Sequence, residues 1–211
     1  MHTNYDLRPL HRLAVTVSVD IVADVTRADL ASPTPCAGWD LRDLLTHMTV
    51  QHNGFAAAAR GSGADLAVWD PATVADAVRA DPAGAYAAAA ADVLEAFSAG
   101  GVPDATFALP EFGQDAAIPA WMAIAFHFVD YVMHGWDVAR SVGVPFVLPA
   151  EVIEAVVPLA LAVPDGDIRE VDNSPFAHAV TGEEGASDLD RVLRHLGRSP
   201  DWRPEGVTVG R

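Results

Sequence analysis

His127-Phe128-Val129-Asp130-Tyr131-Val132-Met133-His134-Gly135-Trp136-Asp137 is the segment from which the architecture can be worked out. It lies in a run from Pro119 to Val142 that has no internal proline and only one glycine, Gly135. Pro119 suits the first position of a helix, where a missing N–H costs nothing, and Gly143 suits its end. At about 100° per residue, Asp130 and His134 fall one turn apart on the same side, and His127 lies nearly in line two turns before His134. Two imidazoles and a carboxylate are thus stacked among Phe126, Val129, Val132 and Met133, where apolar side chains are expected. Buried polar groups need partners, and a divalent ion partners several at once. A plain hydrogen-bonded Asp/His pair fits the same spacing. A third ligand from another helix is what separates the two readings.

Composition narrows the field. The chain has 211 residues, enough for one ordinary domain with a small appendage and a sizeable core. Its formal net charge is −16, with no arginine cluster to offset it, so nucleic acid is excluded as the expected partner. All 13 basic residues are arginine, which rules out lysine Schiff-base or lysine-base chemistry. Cys36 is the only cysteine, so neither an internal disulfide nor a cysteine-rich zinc site is expected. Apolar runs break well before the ~20 residues of a membrane span. The opening Met1–Asp6 is polar rather than basic and apolar, and a cytoplasmic location is the expectation.

Taken in order, the pattern predicts a first helix from Leu7 to about Val25, capped by Asp6, with Leu10, Leu13, Ala14, Val17 and Ile21 as its apolar stripe. His11 sits at that stripe's edge and reads as a surface or packing residue. The connector Ser32-Pro33-Thr34-Pro35-Cys36-Ala37-Gly38-Trp39 follows. Asp40, with Asp43 three residues on, opens a second helix to about Arg60 that carries His47 and Gln51 beside its inward face and points His52 elsewhere. A short helical piece over Thr73–Arg79 precedes an alanine-rich helix over Ala83–Ser98. Thr106–Leu109 and Asp115–Ile118 read as a small hairpin around Pro110-Glu111-Phe112-Gly113. After the Pro119 helix, Ala150–Val163 is expected to be helical with a kink or break at Pro158. Asp165–Gly185 reads as an acidic loop, partly extended at Phe176–Val180, and Ser187 caps a last helix through Leu196. The tail from Glu205 is expected to be mobile. Trp39 and Trp136 read as bundle packing, His178 and His195 as surface residues. The expected fold is mainly all-α: a four-helix bundle over residues 1–145 with a small β-hairpin, and a C-terminal helical extension over 146–211 packed on it. Bundle sites are built from facing helices, which makes His47 the natural third partner of Asp130 and His134.

Three motifs carry a family resemblance. Thr34–Met48 resembles the start of the second helix in DinB-like proteins, within which it is most similar to the actinobacterial branch of mycothiol-dependent maleylpyruvate isomerases. Asp130–Arg140 resembles that branch's second metal motif, and Leu189–Trp202 its C-terminal signature. The resemblance implies a DinB-like bundle with a divalent metal, usually zinc, held by His47, Asp130 and His134. That pattern has a longer carboxylate where Asp130 stands, so His127 enters as a substitute ligand or as support behind the ligands, with Gln51 as a further pocket candidate. Asp137 and Arg140 are candidates for supporting the ligands or binding substrate, against the plainer reading of a helix-end ion pair.

Three protein ligands leave one position open. A thiol entering it is deprotonated near neutral pH and held as a nucleophile, as mycothiol is in the isomerases. Water there gives a hydroxide for hydrolysis instead. The expectation is a metal-dependent isomerase or S-transferase using a low-molecular-weight thiol. A thiol-independent secondary-metabolite enzyme and a non-catalytic metal-binding or stress module stay open beside it. Nickel and iron suit the same donors as zinc. A small-molecule substrate and a homodimer fit the apolar outer faces; a membrane partner does not.

Overall fold

In the computed structural model, which describes residues 6–113, 115–171, 174–182 and 186–204, seven α-helices and one two-stranded sheet are found among the described residues. The helices are α1 (Arg8–Val22), α2 (Leu41–Ala59), α3 (Ala72–Ala80), α4 (Pro82–Ser98), α5 (Ala120–Val142), α6 (Ala150–Leu161) and α7 (Asp188–His195). The strands β1 (Thr106–Ala108) and β2 (Ala117–Pro119) pair antiparallel with Phe107 opposite Ile118. The fold is mainly α, with α1, α2, α4 and α5 as the long helices, α1 lying on α5 and α2 on α4 and α5. The expected tail from Glu205 lies outside the described residues.

Local chemistry explains the boundaries. Asp40 accepts from the Asp43 backbone N–H at 2.9 Å while the Asp43 carboxylate reaches back to the Asp40 N–H at 3.4 Å, a capping box that starts α2 on its first apolar residue. Pro119 ends β2 and is the N-cap of α5, so the helix begins one residue later than the proline rule suggests. Gly143 closes α5 in the left-handed conformation, at φ 74°. Of the kink or break expected at Pro158, the break is absent. Pro158 does not break α6, which runs on to Leu161: the Val156 and Ala160 side chains on either side of it are buried against α1, α5 and α7 and hold the turn. Phe176–Val180 lies in a loop, as expected, and pairs with no strand. Its backbone is tied one group at a time instead, as where the Val180 N–H donates to Arg194 O at 2.9 Å.

α5 is enclosed on almost every side. From Ala123 to Ala139 only Phe126 and Asp130 escape burial. One apolar cluster joins Phe128, Val132, Met133 and Trp136 to α1, α6 and α7, and another joins Tyr131 and Val138 to α1, α2 and α4. Gly135 makes room for the Phe146 ring, since a Cβ there would lie 3.0 Å from it.

The core also contains an imidazole chain. His11 Nε2 lies 2.8 Å from His127 Nδ1, and His127 Nε2 lies 3.2 Å from His52 Nδ1. His11 is therefore interior, at 1% exposure, because its partner on α5 is 116 residues away in sequence. His52 and His127 stack on Tyr131 at 4.0 and 4.1 Å between ring centroids. Tyr131 in turn donates its hydroxyl proton to Met48 O.

Burial pushes all three imidazoles down, His11 to about 3, and neighbouring positive charge pushes the same way. A histidine depressed in the folded state lends stability above its unfolded pKa of about 6.5 and loses it as pH falls towards the folded value. Stability is therefore expected to drop below pH 6.5 by about 1.4 kcal/mol per pH unit for each of the three. Urea unfolding of a His11→Leu variant at successive pH values will show the slope reduced by about one such increment; an unchanged slope contradicts this account.

Candidate metal and thiol site

α2 and α5 run antiparallel, which brings His47 opposite Asp130 and His134 one layer above the imidazole chain. His47 Nε2 lies 4.0 Å from Asp130 Oδ2, and His134 Nε2 lies 3.3 Å from Asp130 Oδ1. One donor atom from each of the three falls within 4.8 Å of the others. Tetrahedral bonds of about 2.0–2.1 Å require donors roughly 3.4 Å apart, so small side-chain rotations make this set fit a divalent ion. The short Asp130 carboxylate spans the gap because His47 and His134 flank its two oxygens. His127 is not in this cluster: both of its ring nitrogens face His11 and His52. Gln51 is half-buried on the turn after His47.

The electrostatics suit an ion. Burial, and then the neighbouring His134 charge, holds His47 down at about 4 against the pull of Asp130. His47 therefore presents a lone pair at neutral pH. Burial also opposes charge on His134, but Asp130, Asp137 and Cys36 outweigh it and raise His134 well above the ordinary range. Burial works against the Asp130 carboxylate too, and is overcome by His134, His47 and Arg198, so that it stays ionised. His134 is thus an imidazolium clamped between carboxylates. An ion at Nε2 would take the place of the proton there.

On the far side of the ring, His134 Nδ1 lies 3.0 Å from Asp137 Oδ2. Asp137 is fully buried and held down at about 2: burial opposes this, while Arg198 and His134 impose it. As an acceptor-only group it accepts a hydrogen bond from Nδ1–H, which aims the Nε2 edge of the ring at Asp130 and His47. Arg198 grips Asp137 through Nη2 at 3.0 Å and Nε at 3.4 Å. It gets there from the end of α7, where Gly197 turns the chain at φ 80° and the Arg198 N–H donates to Leu193 O at 2.8 Å.

Cys36 completes this side, its Sγ 3.1 Å from Asp137 Oδ2, 3.3 Å from Arg198 Nη2 and 3.8 Å from His134 Nδ1. Cys36, His134 and Asp137 also have metal-ligand spacing. The guanidinium in contact with both thiol and carboxylate already supplies positive charge there, which leaves the Nε2 side as the better fit for an ion.

Trp39 corrects another expectation. It is 38% exposed rather than packed in the bundle, and its ring lies 5.0 Å from the His47 ring and 6.5 Å from the His134 ring. The connector holds it there. Thr34 Oγ1 donates to Trp39 O at 2.9 Å, and Pro33 bridges Asp40. Trp136 is buried, with the Arg140 guanidinium 5.3 Å from its ring centroid. Arg140 donates to Pro200 O and so serves the α5–C-terminal contact. His178 is exposed, 2.9 Å from Asp165 Oδ1, while His195 is half-buried against Val163 O at 2.8 Å. Arg198 and the placement of Cys36 escape a local reading, because their partners lie 61 and 101 residues away. The one local signal is the position of Arg198 just past a helix-ending glycine.

Replacing Arg198 with Met removes one of the two cationic partners of a fully buried carboxylate and leaves it His134 alone, and a loss of about 3 kcal/mol in unfolding free energy is expected. Adding Asp137→Asn should restore much of it. Chemical denaturation of both variants checks this, and equal stability of Arg198→Met and wild type would contradict it.

Comparison with known proteins identifies the family. The sequence model described as the mycothiol maleylpyruvate isomerase N-terminal domain matches residues 11–139. An uncharacterized protein of Mycobacterium tuberculosis, found in two of its strains, is 27% identical over 190 residues, covering 90% of this chain and 96% of its own length. The crystal structure of the mycothiol-dependent maleylpyruvate isomerase superposes with a TM-score of 0.61 at 16% identity, covering 95% of this chain and 94% of that one. The family match spans α1 to α5, the elements that carry His47, Asp130, His134 and Asp137, and the chain belongs to the mycothiol maleylpyruvate isomerase N-terminal domain family.

Proposed function

We propose that His47, Asp130 and His134 hold one divalent ion, and that its open position takes a low-molecular-weight thiol for isomerisation of, or S-transfer to, an electrophilic small molecule. The observation that carries this reading is the convergence of two imidazole nitrogens and a carboxylate within 4.8 Å, at a partly open spot beneath Trp39. The family name supports a thiol as co-substrate, and the donor set favours zinc while suiting nickel and iron. A bound ion supplies Lewis acidity that makes a thiolate accessible at neutral pH.

The chain's own residues do the rest. His47 and His134 direct Nε2 lone pairs to one point, and Asp130 adds a negative oxygen that leaves the three-donor set with a single negative charge. Asp137 holds the Nδ1 proton of His134, fixing the ring's tautomer and rotation, and Arg198 keeps Asp137 ionised. The exposed face of Trp39 gives an incoming molecule an apolar wall beside the two imidazoles and keeps water from that side.

Metal content by mass spectrometry on untagged protein tests the reading. About one ion per chain is expected in the wild type, with strong loss in His47→Ala and His134→Ala, since each removes one of three ligands. Full occupancy in both variants would sink it. Titrating cobalt-substituted protein with a thiol then asks about the open position: a thiolate-to-cobalt absorption band supports thiol use, and a silent spectrum moves the site to water chemistry.

A further inference from the structure

Aromatic rings border the opening of the site, while Arg198 and Arg42 beside it are committed to acids of the fold. His134 lies deep, with 8% of its side chain exposed, whereas His47 and Asp130 keep 29% and 25% and so line the way in. Trp39 flanks it from the α2 side, open to solvent and with its ring 5.0 Å from the His47 ring. On the α5 side Phe126 stands one turn before Asp130, and between Ala123 and Ala139 these two are the residues of the helix that stay open. Phe126 stacks in turn on the exposed Phe112 ring, with centroids 5.0 Å apart and planes at 24°. The charges that act on His47 are those of His134 and Asp130. The arginine that bears on Asp130 is Arg198, whose guanidinium is buried against Asp137 and Cys36. Arg42, three residues past Trp39, is held by Asp40 and Asp43.

From this arrangement we propose that the electrophile taken by the site is an uncharged, flat, conjugated molecule that stacks on Trp39, and that the site turns away electrophiles bearing a carboxylate. The proposal rests on the thiol-using reading above and names its substrate class. A thiolate attacks carbon that conjugation has made electron-poor, and conjugation also flattens the molecule. The electron-poor face of such a molecule complements the negative face of an indole. A carboxylate finds little to meet it. An ion and a thiolate at the three-donor set sum to no net charge with Asp130, Arg198 is neutralised by Asp137, and the chain as a whole carries −16. Desolvating a carboxylate among aromatic rings without a cation is costly, so the rings select against it as much as they select for a flat partner.

The binding probes are 1,3-dinitrobenzene and 3,5-dinitrobenzoate, which differ by one carboxylate and carry no halide to displace. Equilibrium dialysis against full-length protein, as purified and zinc-loaded, should give the uncharged ring about tenfold tighter binding in both forms. Trp39→Ala should weaken dinitrobenzene binding about tenfold, and Trp39→Phe, which keeps an aromatic face, should recover most of it. Equal or tighter binding of the benzoate, or no binding of either probe, overturns the proposal. So does a Trp39→Ala affinity within about twofold of wild type. Should Trp39→Ala fail to fold, the comparison of the two probes on the wild type decides alone. Turnover then tests the thiol separately. With 2-mercaptoethanol and zinc-loaded protein, 1-chloro-2,4-dinitrobenzene should be accelerated over its uncatalysed rate more than 4-chloro-3,5-dinitrobenzoate. In each, a sulfur–carbon bond forms from the thiolate pair, the carbon–chlorine bond breaks, chloride leaves with its electrons and the thiol proton goes to buffer. Greater acceleration of the benzoate overturns the substrate class. No acceleration of either, with the binding preference intact, removes the thiol reading and leaves the aromatic entrance standing.

Discussion

Burying polar side chains along α5 carries a free-energy cost that shapes everything packed around it. That helix is covered by α1, α2, α4, α6 and α7 over most of its length, yet it carries His127, Asp130, His134 and Asp137. A buried polar group without a partner costs about 1–3 kcal/mol, and a buried charge more. Each of these side chains therefore draws a partner from a different part of the chain. His127 takes His11 from α1 and His52 from α2. Asp130 and His134 take His47 from α2, and Asp137 takes Arg198 from beyond α7. The polar requirement of one helix thus sets how its neighbours meet it.

The two polar layers differ in charge. The imidazole chain is neutral and packed among aromatic rings, with His127 using both nitrogens internally. The layer above it is charged and partly open, with His134 held between Asp130 and Asp137. The difference follows from carboxylates: the lower layer has none in contact, so burial wins and the rings lose their protons. The upper layer has two, so attraction outweighs burial. Among the described residues, donor sets with metal-ligand spacing occur in the upper layer alone.

Rigidity comes from outside the donor set. The α2 capping box and the Thr34 contacts fix the connector that carries Trp39 and Cys36, while the Gly197 turn aims Arg198 inward. The hairpin is anchored by the buried Phe107 and Leu109 and by the Phe112–Phe126 stack. Each of these segments bordering the site is thus tied to a helix end or to the core, which holds side chains in place around a position that has to stay accessible.

The helices, the Asp40 and Ser187 caps, the hairpin and the likeness of His47, Asp130 and His134 to a ligand set were legible in the amino-acid order. They depend on neighbours within a turn or two: the apolar period, Asp40 with Asp43, Gly143 at a helix end, and Asp130 with His134. The expected Asp6 cap is not formed, the N-cap of α1 being Leu7 with no side-chain cap hydrogen bond. Other features emerged from three-dimensional packing alone. His11 is interior, Trp39 covers the site, His127 faces away from it, and Arg198 and Cys36 stand behind His134. Pro158 leaves α6 unbroken, since packing on both sides outweighs one missing hydrogen bond. The physical reason is common to all of these. Periodicity and capping are local energies readable over a few residues, whereas the partner of a buried polar group is chosen by which distant segment the fold brings within hydrogen-bonding reach.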